Sequence, residues 1–349
     1  MTPRPLFTVC IPAYNRANYL SPLLDSILQQ DERDFEILIC EDRSPERSAI
    51  AAIVTKYSAQ NPGRIRYIEN ERNLGYDGNI RELVQQASGE YCVFMGNDDL
   101  MCAGALTAIA DVTSRHSDCG VVVRTYATFD QSPEVHKQVF RYYPDEHAIP
   151  PGHQAIAMAF RRSVVLPGMV IHRDSAANLA TSEFDGSLLY QLYLVGRILA
   201  DRSVVFTPKI IALRRDGVAP DFGNSEAEKG KFVPQDQTPE SSLHFMHEML
   251  RIAQHVQSAT GFPVFPSIRN DIGSYSYPIL AIQAGRPKKV FWRYGIALTR
   301  MGFWRTPLFY VYFVALLLLG PTLMDVFIVW IKGRLGYTPR LGAASMGKS

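Results

Sequence analysis

The strongest constraint on the fold is an alternation that runs through the first 125 residues. Short apolar runs of strand length take turns with stretches whose apolar residues recur at helical spacing. Runs at 7–11, 35–40, 65–68, 91–95 and 121–123 read as strands. Between them, Leu20, Leu23, Leu24, Ile27 and Leu28 mark one helix. Ile50, Ile53, Val54 and Tyr57 mark the next, Ile80, Leu83, Val84 and Ala87 a third, and Leu106, Ile109 and Ala110 a fourth. Units of this kind predict an α/β fold: a mostly parallel sheet flanked by helices. In such a sheet the loops after the strands gather along the carboxyl edge, where ligands bind. The polar loops at 13–16, 41–44, 70–79 and 97–99 all follow strands, so they are expected together.

The most pointed of these loops follows the run at 91–95, which is bounded by Gly89 and Gly96 and leads into Asn97-Asp98-Asp99. Two adjacent carboxylates at a strand end suit a divalent cation that keeps open positions for phosphate oxygens. The plainer alternative is a solvated turn with a helix N-cap after it. No Gly-x-Gly-x-x-Gly follows the first strand, which argues against dinucleotide binding, and no Gly/Lys/Ser phosphate loop is present. With 36 basic and 34 acidic side chains the chain has no general attraction to nucleic acid. Five cysteines, without metal-ligand spacing, suggest a reducing compartment. No secretory signal or internal repeat is expected. At 349 residues the chain fits one large domain, or one domain with an appendage.

Beyond residue 125 the pattern loosens. Residues 125–165 read as irregular, and 168–171 as a strand followed by His172-Arg173-Asp174. Glu183-Phe184-Asp185-Gly186 precedes an apolar helix at 187–199. Short strands are expected at 204–206 and 210–213. Residues 214–239, polar and rich in Gly and Pro, suggest a mobile loop or lid. A helix at 239–257 carries His244 and His247; with no third ligand in view, an exposed polar face is the better reading.

Several of these segments, in this order, resemble the family 2 glycosyltransferases of the GT-A (Rossmann-like) fold. Residues 8–16 are similar to the family's first strand and nucleotide loop, and residues 34–44 to its second strand with acidic pair and serine. Asn73-Leu74-Gly75 with Asn79 resembles its Asn-x-Gly loop, and 89–99 its metal-binding strand end. Two departures stand out: Glu41-Asp42 replaces the usual Asp-Asp, and Asn97-Asp98-Asp99 the usual Asp-x-Asp. The resemblance implies a nucleoside diphosphate sugar donor held by Pro12, Ala13, Tyr14, Arg16, Asp42, Asn73, Gly75, Asn79, Asn97 and Asp98. Asp42 would accept from a base N–H, Tyr14 pack on the base, Arg16 contact base or phosphate, and Asp98 reach sugar or ribose hydroxyls. Asp99 would hold Mg²⁺ or Mn²⁺. Inverting members need a general base near a helix start. Asp185 is the expected base, with Glu183 and Asp174 as alternatives. A nucleotidyltransferase that makes nucleotide sugars is the competing enzyme class, but it carries a Gly-rich basic loop where this chain has Pro12-Ala13-Tyr14-Asn15. A non-catalytic membrane scaffold is the third reading.

The tail changes character. Arg286, Lys288, Lys289, Arg293, Arg300 and Arg305 alternate with aromatic and aliphatic residues, a mixture suited to a membrane interface. Residues 308–331 are then almost wholly apolar, roughly 36 Å long as one helix. Gly320-Pro321 interrupts the run, Asp325 lies beyond, and basic residues flank both ends. By the positive-inside tendency both flanks prefer the cytoplasm, which favours a re-entrant or in-plane hairpin. The expected organisation is therefore a GT-A nucleotide-sugar-binding and catalytic domain at 1–215, a loop or lid at 216–238, and a helical region at 239–349 with a membrane-associated hairpin around 290–335. The location implied is the cytoplasmic face of the inner membrane, peripheral or monotopic. A lipid-linked glycan acceptor in cell-surface polysaccharide or O-antigen synthesis would follow.

Overall fold

The computed structural model describes residues 4–335. β1 (Phe7–Ala13), α1 (Ala17–Leu28), β2 (Phe35–Glu41), α2 (Arg47–Gln60), β3 (Ile65–Glu69), α3 (Gly75–Gln86) and β4 (Tyr91–Phe94) build the parallel half of one sheet, in the order β3-β2-β1-β4. β5 (Leu100–Met101), α4 (Ala105–Arg115), β6 (Cys119–Phe129), β7 (Gln138–Phe140) and β8 (His147–Ile149) follow. Then come α5 (His153–Arg162), β9 (Met169–His172), α6 (Arg173–Ala177), α7 (Tyr190–Ile198) and β10 (Ser203–Arg215). The sheet continues from β4 as β9-β6-β10-β5, with β7 beside β6 and β8 beside β10.

Alternation along β1 explains the two layers. Phe7, Val9 and Ile11 pack with Leu20, Leu23 and Leu24 of α1, Ile50 of α2 and Leu106 and Ile109 of α4. Cys10 points to the other face, among Ile80 and Leu83 of α3 and residues of α5 and α7. Each such fully buried aliphatic or aromatic side chain contributes about 1.5–3 kcal/mol relative to exposure.

Four details differ from the sequence reading, each for a physical reason. The sheet is mixed rather than parallel throughout: β9 starts from the carboxyl edge and runs back antiparallel between β4 and β6, and beyond it β6 and β10 pair in parallel again. Pro12 does not end β1, whose pairing with β2 continues to Ala13↔Glu41. The β4 partner stops at Cys10, so Pro12 meets an open edge on that side. β6 runs on to Phe129, past Arg124, whose charge breaks the apolar pattern. That guanidinium is fully buried and donates to backbone carbonyls: Nε to Pro167 O (2.8 Å), Nη1 to Arg162 O (3.4 Å), and Nη2 to Val165 O. Finally, the two short strands expected near 204 and 212 are one strand, β10, bulged between Thr207 and Ile210, where Pro208 cannot join the ladder.

Beyond the sheet, α8 (Pro239–Thr260) starts at Thr238, whose side chain accepts the Ser241 N–H. α9 (Val264–Ser274), α10 (Tyr277–Ala284), α11 (Lys288–Arg300), a 3-10 turn (Phe303–Arg305) and α12 (Pro307–Leu335) complete the described chain. Gly320, at φ 76° and ψ 173°, breaks α12 in two. Phe309, Tyr312, Phe313 and Leu316 lie on one face and join the core. Val311, Val314, Leu318, Leu323, Val326 and Phe327 form an exposed apolar face. Over Pro307–Ile328 the mean hydropathy is 2.1, yet only 22% of the most apolar stretch is buried.

Candidate active site

The carboxyl ends of β1, β2 and β4 open into a cleft of about 470 Å³. Its lining includes Pro12, Tyr14, Arg16, Asp42, Asn73, Gly75, Asn79, Asn97, Asp98 and Asp99. The expected clustering of the strand-end loops is therefore present. Ala13 is the exception among the expected donor residues. Its side chain is buried in the core, and it contributes only its carbonyl, which accepts the Asp42 N–H (2.9 Å).

The first loop is strained into place. Asn15 (φ 54°) and Arg16 (φ 62°) both adopt left-handed backbone, uncommon for residues other than glycine. This turn sends Arg16 across the cleft, where Nη1 donates to Asp98 Oδ2 (2.7 Å) and Nη2 to Ala219 O (2.9 Å). Asn97 Nδ2 donates to Asn15 O (2.8 Å), so Asn97 ties the loops after β1 and β4 together.

Asp42 is nearly enclosed. Its Oδ1 accepts from Asn70 Nδ2 and the Leu74 N–H, and its Oδ2 from the Gly75 N–H, each at 2.8 Å. A carboxylate has about four acceptor sites, so one remains for a ligand N–H. Burial pushes its carboxyl up to about 6; the hydrogen bonds from Leu74, Asn70 and Gly75 pull the other way. Asn73 Oδ1 shares the Gly75 N–H (2.9 Å), and Asn79 Nδ2 donates to Cys40 O (3.0 Å). These two side chains therefore hold the loop as well as face the cleft. Gly75 has φ +76°, and a Cβ there would overlap Ser225 and Glu228.

Asp98 and Asp99 are both buried. Asp99 Oδ1 accepts the Arg215 N–H (2.9 Å). Asp98 Oδ1 and Asp99 Oδ2 have no hydrogen-bond donor among the described residues, and they converge on the bare Cα of Gly96. A Cβ there would overlap Asp99 Oδ2 and stand 3.4 Å from Asp98 Oδ1. Burial first, and the Asp98 charge second, drive the Asp99 carboxyl well above the usual range. Two open carboxylate oxygens on mostly buried side chains, converging on one point, fit a divalent cation that takes its other ligands from water and phosphate. Among the described residues no group of three or more His, Cys, Asp or Glu could hold a metal. His244 instead meets Gly186 O (3.0 Å), and His247 is exposed beside Glu248.

None of the expected bases lines the cleft. Asp185 turns away and forms a two-point ion pair with Arg81. Glu183 stands beside Arg251 and His255. Asp174 lies at the opposite edge of the sheet, paired with Arg4 and Arg173, because β9 runs antiparallel and carries it away. The residue that reaches the cleft from the start of α7 is Leu188, at φ 62°. Its turn is held by Asp77 of α3, which accepts from the N–H groups of Ser187, Leu188 and Tyr190 (each 2.9 Å).

Sequence reasoning missed the second wall of the cleft. Arg214, Arg215 and Asp216 leave the end of β10, and Asp221 and Glu228 come from the segment after it. Arg215 is clamped between Tyr19 and Phe129, 4.5 Å from each ring, and Nε donates to Asp98 O (3.0 Å). Glu228 accepts from the Tyr76 N–H (2.8 Å) and the Gly223 N–H (2.9 Å), anchoring residues 216–238 over the N-terminus of α3. The signal is a charged run directly after the strand expected at 210–213, but it falls in the stretch 214–239 that reads as a mobile loop or lid, whereas β10 runs on to Arg215.

With this geometry in place, comparison with known proteins gives the class. Residues 8–166 match glycosyl transferase family 2. This match places a domain of that family at residues 8–166, a little under half of the chain. Abequosyltransferase RfbV of Salmonella typhimurium is 31% identical over 113 residues, 32% of this chain and 34% of the relative. A GalNAc(5)-diNAcBac-PP-undecaprenol beta-1,3-glucosyltransferase of Campylobacter jejuni is 32% identical over 106 residues, 30% of this chain and 33% of the relative. The aligned stretch thus spans about a third of the length of these curated relatives. Among solved structures, residues 1–349 of S. aureus TarS superpose with a TM-score of 0.54 at 16% identity, covering 95% of this chain and 91% of that one. A mannosyltransferase from Pyrobaculum calidifontis, solved with GDP-Man and Mn²⁺, gives a TM-score of 0.51 at 15% identity, covering 91% and 88%. At these identities the two structures establish the fold.

Proposed function

We propose that the protein is an inverting glycosyltransferase that moves a sugar from a nucleoside diphosphate sugar to a hydroxyl of a lipid-linked glycan. The observation that carries this reading is the convergence of Asp98 and Asp99 on Gly96, facing Asp42 and Tyr14 across one cleft. Asp42 offers an acceptor to a base N–H, with Tyr14 beside it for the ring. Asp99, with Asp98 next to it, would hold Mg²⁺ or Mn²⁺. That cation would supply positive charge to the departing diphosphate. Arg16, Arg214 and Arg215 add fixed positive charge to the same cleft. For the base, Asp185 remains the first residue to test. It would have to leave Arg81 and enter the cleft when acceptor binds; an Asp185→Asn variant with wild-type kcat removes it, and Glu183 and Asp174 are tested in the same way.

The membrane assignment rests on the outer surface. All three tryptophans of the chain, Trp292, Trp304 and Trp330, are at least half exposed, and they flank the apolar face of α12. Tryptophan at the border of an apolar band suits the headgroup level of a bilayer. With basic residues on α11 this supports attachment at the cytoplasmic face. The Campylobacter relative, whose name specifies an undecaprenol-diphosphate glycan, supports an acceptor of the same kind here.

The test is release of nucleoside diphosphate from UDP-, GDP-, CDP- and dTDP-sugars by the full-length chain, with Mn²⁺ and an extracted lipid fraction. One donor should turn over only when the lipid fraction is present, and Asp99→Asn should lose at least a hundredfold in rate. Equal turnover by Asp99→Asn refutes the assignment of the cation to Asp99.

A further inference from the structure

A second chamber of about 740 Å³ lies behind the cleft. Val164, Val165, Leu188, Arg214, Phe222 and Phe245 line both, so the two spaces adjoin. Its walls are aromatic. Tyr126 stacks on Phe140 with ring centres 4.7 Å apart, Arg161 lies 4.2 Å over the ring of Tyr275, and Arg162 5.3 Å over that of Tyr142. Tyr312 comes from the first half of α12, and Asp325 and Ile328 from the second. The helix with the exposed apolar face therefore also closes this chamber.

Arg161 and Arg162 share one carboxylate, that of Asp271, at 2.7 and 3.2 Å. Arg162 is 94% buried, from a relative exposure of 6%, and its Nε has no hydrogen-bond partner among the described residues. Of the other charged groups on the chamber wall, Arg214 is paired with Asp216 and Asp236 with Arg286, while Asp325 accepts from the neutral Tyr277 hydroxyl. The Arg161–Arg162 pair therefore carries one positive charge more than Asp271 offsets, and the Nε of Arg162 has no partner among the described residues. Such a group is stabilised by an anion. Aromatic faces beside it suit sugar rings, and an apolar wall that continues onto a membrane-facing helix suits a lipid chain.

We propose that this chamber is the acceptor site, and that it takes a short glycan carried on a lipid phosphate. The phosphate sits at Arg161 and Arg162, the sugar lies between the tyrosines and Leu188, and the lipid chain leaves along α12. This rests on the glycosyl-transfer reading of the neighbouring cleft. It adds that the acceptor is short, because the phosphate-binding arginines belong to the same chamber that opens onto the donor.

The test uses three probes on the purified full-length chain: farnesyl diphosphate, farnesol and inorganic pyrophosphate, titrated by calorimetry. Two variants accompany the wild type. Ile282→Trp fills the chamber mouth from a position already 49% exposed, and Arg161→Met removes the less buried guanidinium. Farnesyl diphosphate should bind at least tenfold more tightly than either fragment, and each variant should lose at least tenfold. Nucleotide binding with Mn²⁺ should be unchanged in both, which a general loss of structure would not allow. Pyrophosphate binding as tightly, and indifferent to Ile282→Trp, places the anion elsewhere and overturns the proposal. Farnesol binding as tightly removes the phosphate from it and overturns it likewise. Failure of all three probes with nucleotide binding intact rejects the chamber and leaves the donor cleft standing. The reverse result rejects the donor cleft alone.

Discussion

Removing the carboxylate of Asp77 should weaken the whole protein and move the wall between the two chambers. Asp77 is 1% exposed and lies in the first turn of α3. Its Oδ2 accepts from the Ser187 and Leu188 N–H groups, and its Oδ1 from the Tyr190 N–H and, at 3.4 Å, the Ser187 hydroxyl. In Asp77→Ala three buried backbone donors lose their acceptor. Each orphan costs about 1–3 kcal/mol, less where water enters the space, so the total is roughly 3–6 kcal/mol. That is a large share of a typical domain stability of about 5–15 kcal/mol. Asp77→Asn keeps one oxygen and should cost roughly half as much. At about 2 °C per kcal/mol for a large domain, melting should fall by about 6–12 °C for Ala and about half that for Asn. Differential scanning fluorimetry on the purified full-length chain reads this directly. A drop of less than about 2 °C in Asp77→Ala would mean that the 187–190 turn finds other partners, and that Asp77 does not set the position of Leu188.

Three further outcomes follow from the same geometry. Gly96→Ala forces a Cβ against the Asp99 carboxylate, so Mn²⁺-dependent nucleotide binding should weaken at least tenfold by calorimetry while the far-ultraviolet circular dichroism stays that of wild type. Asp42 accepts a base N–H only when ionised and titrates at about 6, so nucleotide affinity should fall as pH drops below that value and be about tenfold weaker at pH 5 than at pH 7.5. The Asp42→Asn variant should show no such slope. Leu318→Glu, Leu323→Glu and Phe327→Glu together remove exposed apolar side chains worth roughly 1.5–3 kcal/mol each on burial, so the chain should leave the membrane pellet in a sedimentation assay without a change in melting temperature.

The legibility of this chain in its sequence follows the burial of its strands. β1, β2 and β4 are largely apolar inside and end in polar loops, so both their place and the ligand edge could be read from periodicity alone. That was enough to bring together Tyr14, Arg16, Asp42, Asn97, Asp98 and Asp99. The second half resisted because its strands break the pattern. β6 buries Arg124 against carbonyls, and β10 carries Pro208 at a bulge. A strand rule that treats charge and proline as stops divides these elements, ends the second piece at Leu213 and leaves Arg214, Arg215 and Asp216 in a stretch read as a mobile loop. The general base shows a different limit of sequence reading. Asp185 stands where a helix-start carboxylate was expected, but orientation is a tertiary property. Arg81 on α3 captures it, while Asp77 one turn earlier pins the following residues so that Leu188 faces the cleft. The tail was legible in composition but not in packing: one face of α12 belongs to the core and the other to the outside.

The central claim is that the cleft at Gly96 is a cation-dependent nucleotide site. It is tested most directly by a thermal-shift panel of UDP, GDP, CDP and dTDP, each with and without Mn²⁺, on the wild type and on Asp99→Asn. A nucleotide at about a hundred times its dissociation constant should add roughly 2.7 kcal/mol of stability. The account predicts stabilisation by one nucleotide, dependent on Mn²⁺ and lost in Asp99→Asn. Stabilisation that is the same without Mn²⁺, or the same in Asp99→Asn, would contradict it.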